Sequence, residues 1–383
     1  MSRLIMVAKS LWHPSIRREH ALATEACSHG VEVTFIEAPS DVRSVRVSTT
    51  GPWLRGLCSA TPRQLRDGLD IVSRSTLAPG HRHSAAASAD NALLRRQIGS
   101  VLSRSPRSAR PTVVVNLPWQ WPATARLPIR RIFDAADDWD ALLGGSRPHV
   151  RAMYHRIADE ADAIIVANPT LRDLFPGRTV ELVANGTPAD LVVDAVRPRP
   201  HDRRLVYAGT LSHRFDVDLI RAVLDLLPGW RLDLYGESRY PGHRDEPARE
   251  FRDLLRQCPD RIRWHGVLDR DDLGQAIDAA DVAVVPHRAA QSRGQSSMKL
   301  ADYAARGRPI VSTGWDTNPD AEQPPNTWMA ANAEEFAAAV VQAYADAGDI
   351  DGAVAWARQR TWPSRWPLWS AAAFGSQPVP ADR

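Results

Sequence analysis

Short apolar runs alternate with stretches of helical periodicity along most of the chain. The first apolar run, Leu4–Ala8, is followed by a polar loop, by helical periodicity over Ile16–His29 and by a second apolar run at Val31–Ile36. Gly30 is a typical residue at the end of a helix. A strand, a helix and a second strand in this order predict the opening of a parallel, doubly wound sheet.

The alternation continues through the N-terminal half, with an irregular part at residues 40–90. Two proline-containing stretches and a polar, Ala/Ser-rich segment at Pro79–Asp90 predict loops there. The elements predicted beyond it are helices at Asn91–Leu102 and Val150–Glu160, a Trp/Pro loop at Leu117–Pro122, and strands at Val113–Asn116, Arg131–Asp134, Ala163–Ala167 and Val180–Val183.

A second α/β series begins after a linker. Two prolines within Val196–Asp202 remove backbone donors and fix φ, so this segment is predicted to connect two domains. The strands predicted after it are Leu205–Ala208, Arg231–Tyr235, Arg261–Trp264, Val282–Pro286 and Pro309–Ser312. The helices predicted are Val217–Leu227, Glu246–Arg256, Asp271–Ala279, Ser296–Ala305 and Ala333–Ala347.

These two series predict an α/β protein with two Rossmann-like, doubly wound parallel-sheet domains. A chain of 383 residues is too long for one core of ordinary size. The predicted domains are residues 1–195 and 196–355. Ligands of open parallel sheets bind outside the carboxyl ends of the strands. Two such edges facing each other therefore predict one cleft at the linker.

Composition narrows the class of protein. Hydrophobic residues make up 44% of the chain, enough for a core in each half. No apolar run approaches the ~18 residues of a membrane span, and the N-terminus does not resemble a signal peptide. Cys27, Cys58 and Cys258 are scattered, which argues against a disulfide framework and a zinc site. We therefore expect a cytoplasmic protein.

Basic residues are unevenly distributed. Residues 1–200 hold 26 Lys+Arg against 19 Asp+Glu, a net of +7, and the remainder has a net of −4. Only Lys9 and Lys299 are lysines; the other 46 basic residues are arginines. A basic half suits anionic lipid head groups or a phosphorylated acceptor, and so peripheral contact with the inner face of the cytoplasmic membrane. The alternative is compositional drift in an Arg-rich chain. A nucleic-acid partner is not expected.

The segment Ser296–Tyr303 carries the most informative chemistry. A helix that begins near Ser296 presents unpaired N–H groups, which can bind a diphosphate. Lys299 in its first turn adds a positive charge. Asp302 lies three residues later on the same helix face, where its carboxylate can accept both hydroxyls of a ribose. The alternative is an N-capped surface helix with a weak ion pair.

Five sequence blocks resemble the nucleotide-sugar domain of GT-B glycosyltransferases. The blocks are Tyr207–Leu211, Leu234–Glu237, Arg263–Val267, Ala279–Pro286 and Met298–Pro309. They are similar to group 1 type bacterial glycosyltransferases, and Ser296-Ser297 before Met298 is similar to the xanthan glucuronosyltransferase, an inverting enzyme of this fold. A weaker match in the N-terminal half comprises Arg131–Trp139, Ala161–Val166 and Val183–Gly186.

The resemblance implies a GT-B fold in which residues 1–195 bind the acceptor and residues 196–355 bind the nucleotide-sugar. It implies a UDP-sugar or GDP-sugar donor, with UDP-sugar favoured, and no metal ion or cofactor. The implied acceptor is a glycan, lipid-linked or small molecule. Residues 356–383 are expected to return to the N-terminal domain as a last helix, and the chain after Ala371 is expected to be disordered. Tryptophans are expected to anchor that helix: Trp356, Trp362, Trp366 and Trp369.

Ten donor-binding residues follow from the resemblance. They are Gly209, Thr210, Gly236, Glu237, His287, Ser296, Ser297, Met298, Lys299 and Asp302. Asp302 stands where many relatives have Glu. Retaining members commonly have two glutamates eight residues apart, but Gly294 occupies the position eight residues before Asp302. This departure favours an inverting mechanism, which needs a general base.

The acidic segment Asp134–Asp140 is predicted to supply that base. It follows a strand, and four crowded carboxylates are expected to raise the pKa of at least one of them. The resemblance assigns the base to Asp137, with Asp138 beside it as a second catalytic candidate. One alternative is a solvated cap for the next helix. Another is a Mg²⁺ site, which we disfavour because two nucleotide-binding-type domains are predicted.

The acceptor-binding candidates lie in the N-terminal half. His13, Arg17 and His20 belong to the first loop and helix, where a basic loop can hold a phosphate or a carboxylated sugar. Trp119 is a candidate platform for a sugar ring or lipid. The alternatives are ordinary surface charges for the first group and packing for the tryptophan.

The function predicted from these residues is that of a metal-independent, inverting hexosyltransferase with Asp137 as general base. Three alternatives stay open at this point. They are a retaining glycosyltransferase of the same fold, a UDP-sugar epimerase and a non-catalytic glycan-binding protein.

Overall fold

The computed structural model describes residues 2–12, 17–41, 50–58, 61–76, 84–104, 110–145, 147–238, 249–292, 297–314 and 323–375. The chain divides into two compact units. Unit 1 comprises Met1–Ala184 and Arg365–Arg383, and unit 2 comprises Asn185–Ser364. Each unit has its own parallel sheet and hydrophobic core. The predicted fold class, two Rossmann-like doubly wound domains, is confirmed.

Unit 1 is built on an eight-stranded sheet. Its strands are β1 (Arg3–Val7), β2 (Glu32–Ile36), β4 (Arg63–Arg66), β5 (Leu69–Val72), β7 (Thr112–Val115), β8 (Arg130–Ala135), β9 (Ala163–Val166) and β10 (Glu181–Leu182). The order is β10-β9-β8-β7-β1-β2-β5-β4, with β4 antiparallel and the rest parallel. The strands β3 (Ser40–Asp41) and β6 (Ser75–Thr76) form a separate pair. The helices are α1 (Arg18–Ser28), α2 (Thr50–Cys58), α3 (Ser84–Ser103), α4 (Trp139–Leu142) and α5 (Pro148–Glu160).

Unit 2 is built on a six-stranded, fully parallel sheet. Its strands are β11 (Arg204–Ala208), β12 (Arg231–Tyr235), β13 (Ile262–Trp264), β14 (Val282–Val285), β15 (Ile310–Thr313) and β16 (Thr327–Ala330). Its helices are α6 (Val217–Leu226), α7 (Arg249–Gln257), α8 (Arg270–Asp278), α9 (Ala289–Ser292), α10 (Met298–Ala305), α11 (Ala333–Ala345) and α12 (Ile350–Arg358). The order β13-β12-β11-β14-β15-β16 reverses direction at β11. Such a switch point is where open α/β sheets bind their ligands.

The central strands form where the sequence has uninterrupted apolar runs. The β1 residues Leu4 to Val7 and the β14 residues Val282 to Val285 are fully buried, as expected when helices cover both faces of a parallel sheet. Burial of each such large side chain contributes roughly 1.5–3 kcal/mol. No helix in the described part of the chain is long and apolar enough to cross a membrane.

Three local predictions are corrected. The loop predicted at Pro79–Asp90 is wrong for its last part, because α3 begins at Ser84; the alanines there have high helix propensity. The helix predicted from Ser296 begins at Met298, with Ser297 as its N-cap residue. The Trp/Pro loop forms a 3₁₀ helix, Pro118–Thr124. Strand β16 was not predicted, because its apolar run is too short.

The units divide at Ala184/Asn185, eleven residues before the expected boundary. Residues 185–195 pack on unit 2: the Val193 N–H donates to the Ala305 carbonyl at 3.1 Å, and Leu191 lies in the core cluster that contains Tyr303. The proline linker identified from the sequence therefore lies inside unit 2, where residues 196–202 form neither helix nor strand.

The last helix, α13 (Trp362–Phe374), runs from unit 2 into unit 1. In unit 1, Trp366 stacks on His29 with ring centroids 5.2 Å apart, and the Arg130 guanidinium donates to the Ala373 carbonyl at 2.8 Å. Residues 372–374, expected to be disordered, are helical. The rest of the predicted disordered tail, residues 376–383, lies outside the described residues.

Candidate functional site

Two glycines follow the neighbouring strands β11 and β12 of unit 2 in a backbone conformation that favours glycine. Gly209 has a φ of 157° and Gly236 a φ of 131°. A Cβ on Gly236 would overlap the Gly209 carbonyl, and a Cβ on Gly209 would overlap the end of the Lys299 side chain. The two glycines therefore let the two loops pack together and let Lys299 lie against the backbone.

The amino end of α10 lies close to Gly209, because the side chain of Lys299 in its first turn lies against that glycine. Ser297 caps the helix with extended backbone (φ −79°, ψ 117°), yet its side chain makes no capping hydrogen bond. Its Oγ is buried and has no hydrogen-bond partner among the described residues. Met298 is the first helical residue, and Ser296 lies outside the described residues. The unbonded hydroxyl and the first-turn N–H groups are the donors that a bound anion requires.

Lys299 lies in a positively charged environment. Its Nζ is 5.3 Å from the centroid of the Tyr207 ring. Burial, with the positive charge of Arg214 as the second cause, lowers the pKa of Lys299 to about 8, although Asp302 opposes the shift. The sequence analysis did not identify Arg214. Its position in the β11–α6 loop, directly after the switch-point strand, is the signal that could have indicated it.

Asp302 is the acidic counterpart of Lys299 on α10. The Thr187 hydroxyl donates to its Oδ1 at 2.7 Å. Burial raises the pKa of Asp302 to about 6, despite opposing contributions from Thr187 and Lys299. Oδ2 makes no hydrogen bond to another described residue, so it can accept from a ligand. Thr187 was not predicted, because it precedes the linker and was assigned to the other domain.

His287 follows β14 and is buried, with 6% of its surface exposed. Its ring Nε2 lies 3.1 Å from the Tyr207 hydroxyl, and its backbone N–H donates to Thr313 Oγ1 at 2.9 Å. Burial, and then the charges of Lys299 and Arg214, lower the pKa of His287 well below its usual value. A neutral imidazole at physiological pH follows. His287 also lines a pocket of about 420 Å³ with other residues of unit 2.

The remaining predicted donor residues lie in the same loops. The Thr210 carbonyl accepts from the Tyr207 hydroxyl at 3.1 Å, and the Glu237 carbonyl accepts from the Leu211 N–H at 2.9 Å. At the ends of β12 and β13, the rings of Tyr235 and His265 stack with centroids 4.5 Å apart. Sequence analysis did not identify this aromatic pair.

In unit 1, each of the four carboxylates from Asp134, in β8, to Asp140 has a partner of its own. Both oxygens of Asp134 accept from Arg18 Nε, at 3.0 and 3.1 Å. Asp138 Oδ1 accepts from the Ala141 N–H at 3.0 Å as the N-cap of α4, which is the capping role left open above. The Asp140 carboxylate binds Arg151 at 2.5 Å.

Asp137 is the fourth carboxylate, and its partner is Lys9. The Lys9 Nζ donates to Asp137 Oδ2 at 2.6 Å. The Asp137 side chain is 21% exposed, against 1% for Asp134 and 12% for Asp140. From the sequence, Lys9 is distinguished only as one of two lysines. It lies after β1, and the sheet order β8-β7-β1 brings the ends of these strands to one edge.

His20 is buried in unit 1, with 2% of its surface exposed. Its Nδ1 accepts from the Arg17 N–H at 3.2 Å. Its proton therefore lies on Nε2, which is 3.0 Å from the Leu11 carbonyl. Since both nitrogens are engaged, direct contact of His20 with an acceptor is disfavoured. His13 lies outside the described residues.

Trp119 is also buried, with 7% of its surface exposed. Its ring makes an edge contact with Trp139 at 5.3 Å between centroids, and its carbonyl accepts from Asn91 Nδ2 at 2.8 Å. The structure thus favours the packing alternative for Trp119 over a platform for a sugar ring.

The chain is similar to known proteins in sequence and in fold. Residues 202–346 match the family described as "Glycosyl transferases group 1". No curated protein matches the sequence. Sucrose-phosphate synthase from Thermosynechococcus elongatus is 15% identical, covers 97% of this chain and 95% of its own, and has a TM-score of 0.68. HepE of Anabaena, in complex with UDP and glucose, is 13% identical over 98% of this chain and 100% of its own, with a TM-score of 0.67.

A third similar structure is described as "Trehalose-6-phosphate from E. coli bound with UDP-2-fluoro glucose". It is 11% identical, covers 98% of this chain and 100% of its own, and has a TM-score of 0.66. These likenesses extend over both units, which supports the GT-B fold for the whole chain. The specific similarity to the xanthan glucuronosyltransferase stays a prediction.

Proposed function

We propose that this chain transfers a sugar from a UDP-sugar to an acceptor hydroxyl, with inversion and without a metal ion, because residues 202–346 in unit 2 match the group 1 glycosyltransferase family. Unit 2 binds the donor and unit 1 supplies the general base and the acceptor-binding residues. The acceptor is a glycan or lipid-linked molecule, a class suggested by the sequence resemblance and by the basic N-terminal half.

The observation that carries the proposal is the group of donors around the amino end of α10. The helix N–H groups, the unbonded Ser297 hydroxyl and the two cations Lys299 and Arg214 belong to one part of unit 2. A helix amino end attracts anions, and charge-assisted hydrogen bonds are about twice as strong as neutral ones. Such a group suits a diphosphate, and its positive charge can stabilise the leaving nucleoside diphosphate.

The nucleoside portion is assigned to the groups beside that anion site. Asp302 Oδ2 can accept from a ribose hydroxyl, and Gly236 and Glu237 lie in the next loop. UDP is favoured over GDP because two of the similar structures are complexes with UDP and glucose and with UDP-2-fluoro glucose. The shorter carboxylate of Asp302 keeps the charge that relatives supply with Glu.

Asp137 is the base in the proposed mechanism. The acceptor oxygen bonds to the anomeric carbon, the bond between that carbon and the diphosphate oxygen breaks, and the acceptor proton passes to Asp137. Asp134, Asp138 and Asp140 are engaged in a buried ion pair, a helix cap and an ion pair, respectively. Asp137 is also paired, with Lys9, but its side chain is more exposed than those of Asp134 and Asp140, which makes it the better candidate for contact with an acceptor.

Calorimetry with UDP and with GDP tests the donor site without knowledge of the acceptor. We expect UDP to bind the wild type and Lys299→Ala to weaken binding by tenfold or more, because one charge-assisted contact contributes roughly 1.5–3 kcal/mol. Arg256→Ala is the matched control, since it removes a surface cation of α7. Equal UDP affinities of the wild type and Lys299→Ala would refute the site.

Transfer assays test the base and the stereochemistry. UDP-sugars are incubated with a panel of lipid-linked and free glycan acceptors. Asp137→Ala should lose about 10²–10⁴-fold in turnover while keeping its UDP affinity. Proton NMR of the product reports the anomeric configuration. Retention of configuration would favour the retaining alternative, and UDP-sugar isomerisation without an acceptor would favour the epimerase.

A further inference from the structure

This chain has two lysines: Lys9 follows strand β1 of unit 1, and Lys299 lies in the first turn of α10 in unit 2. All 46 other basic residues are arginine. Lysine differs from arginine because its pKa responds strongly to its surroundings. Lys299 belongs to the donor site proposed above. Lys9, at the end of β1, donates to Asp137 at 2.6 Å and is 13% exposed. Its role has not yet been assigned.

A second carboxylate, that of Glu19, interacts with the charge of Lys9 without bonding to it. Glu19 is buried, with 1% of its surface exposed, and its Oε1 accepts from the Ser10 hydroxyl at 2.6 Å. Its Oε2 is buried and has no hydrogen-bond partner among the described residues. A buried, half-satisfied carboxylate is costly unless a nearby positive charge compensates it. Burial opposes both charges, but Asp137 and then Glu19 raise the pKa of the Lys9 ammonium, and Lys9 and then His20 lower the pKa of the Glu19 carboxyl.

Other charged and titratable groups surround the three. Arg17 at the start of α1 acts on Lys9, His20 acts on Glu19, and Tyr154 on α5 lies within the field of Asp137, together with Asp138 and Asp140. Burial, followed by the carboxylates after β8, raises the pKa of Tyr154, so its hydroxyl stays protonated. Ser10 joins the group to His20, since its Oγ lies 3.1 Å from His20 Nε2.

We propose that Glu19 is a positioning residue for the base: its buried negative charge attracts the Lys9 ammonium, which bonds to Asp137, and thereby sets the proton affinity of Asp137. This inference rests on the proposed function, in which Asp137 takes the acceptor proton. A lysine paired with Asp137 alone would neutralise the carboxylate and weaken it as a base. One ammonium and two carboxylates give the group of Lys9, Glu19 and Asp137 a net charge of −1. Asp137 therefore remains a useful base, while the hydrogen bond from Lys9 fixes its position.

The relationship predicts opposite shifts in two variants. Glu19→Gln leaves Lys9 to Asp137 alone and also removes a negative charge, so the pKa of Asp137 should fall by about half a unit or more. Lys9→Met removes the positive charge, so the pKa of Asp137 should rise by about one unit. A purely structural role of Glu19 would alter stability without moving this titration.

Infrared titration of the purified full-length protein between pH 3 and 9 measures the shift directly. The carboxyl band of Asp137 is identified as the difference between wild type and Asp137→Asn. Glu37→Gln is the matched control, because Glu37 is a buried glutamate after β2 whose oxygens accept from the Trp12 N–H and the Ser73 hydroxyl. Near-ultraviolet circular dichroism checks folding, and Lys9→Gln replaces Lys9→Met if the latter does not fold.

A downward shift in Glu19→Gln, an upward shift in the Lys9 variant and none in Glu37→Gln would support the proposal. An unchanged Asp137 titration in a folded Glu19→Gln protein would overturn it. The titration needs neither donor nor acceptor, so it is independent of the transfer assay. If Asp137→Asn retains full transfer, the base assignment fails even where the shifts agree with a charge relationship among the three residues.

Discussion

The Trp369 indole N–H donates to the Asp134 carboxylate at 3.2 Å, joining the last helix of unit 1 to the end of β8 across 235 positions of sequence. Asp134 is fully buried and also accepts from Arg18, which is 2% exposed. The Arg18 Nη1 in turn donates to the Val183 carbonyl at 2.8 Å. The acidic segment that contains Asp137 is thus held at its first residue by partners from both ends of the chain.

Trp369→Phe should destabilise the protein by about 1.5–3 kcal/mol, because a hydrogen bond to a charged group is lost and the carboxylate stays buried. Urea unfolding measures the loss. Trp366→Phe is the matched control, since it makes the same ring change in the neighbour that stacks on Trp369 at 5.5 Å but leaves the bond to Asp134 in place. Equal losses in the two variants would mean that ring volume, and not the hydrogen bond, is responsible.

Asp134→Asn should be more damaging. It removes the charge opposite the buried Arg18, and loss of one partner of a buried ion pair costs roughly 3–5 kcal/mol. Asp138→Asn, by contrast, keeps a good N-cap residue, so it should change stability by less than about 0.5 kcal/mol. The same urea series compares them. A small loss in Asp134→Asn would contradict the importance assigned to this ion pair.

The affinity for UDP should depend on pH on both sides of neutrality. Lys299, with a pKa of about 8, is charged below that pH, so affinity should fall by up to tenfold per unit above it. Asp302, with a pKa of about 6, is charged above that pH, so its hydrogen bond to ribose should weaken below it. Calorimetry from pH 5 to 10 should show an optimum between 6 and 8. Lys299→Ala should flatten the alkaline side, and Asp302→Asn the acid side.

Arg214 is expected to have two effects, a direct attraction for the diphosphate and a lowering of the pKa of Lys299, and a variant without its charge tests both. Arg214→Met should weaken UDP binding at pH 7, because the diphosphate loses a cation. It should also raise the pKa of Lys299, because Arg214 is the second cause of its lowered value. The alkaline decline of UDP affinity should therefore move to higher pH. A weakened affinity with an unmoved decline would show that the two cations do not interact.

The glycines after β11 and β12 should differ in their response to alanine. Gly236→Ala meets rigid backbone at Gly209, whereas Gly209→Ala meets the flexible end of Lys299. We expect Gly236→Ala to lower stability most, and Gly209→Ala to keep more stability but to displace Lys299 and weaken UDP binding by about tenfold. Gly266, whose φ is 76° and whose added Cβ meets nothing within 4 Å, is the control. Its alanine variant should lose only about 1 kcal/mol through backbone strain.

Much of the fold could be predicted because it is encoded locally. The alternation of apolar runs with helical periodicity located β1, β11, β12 and β14 within a residue or two. Helical spacing placed Lys299 and Asp302 on one face of α10. Where local signals conflict, prediction failed: the Ala/Ser-rich segment before Asn91 is helical, and the proline linker does not mark the boundary between units.

The sequence by itself determined the two α/β series, the glycines at the ends of β11 and β12, and the cation and carboxylate on α10. These depend on residues a few positions apart. Only the tertiary structure decided which partners these groups have. Thr187 meets Asp302 across 115 positions, and Lys9 meets Asp137 across 128. Such pairs depend on strand order and on how loops pack at a sheet edge, which local periodicity does not encode.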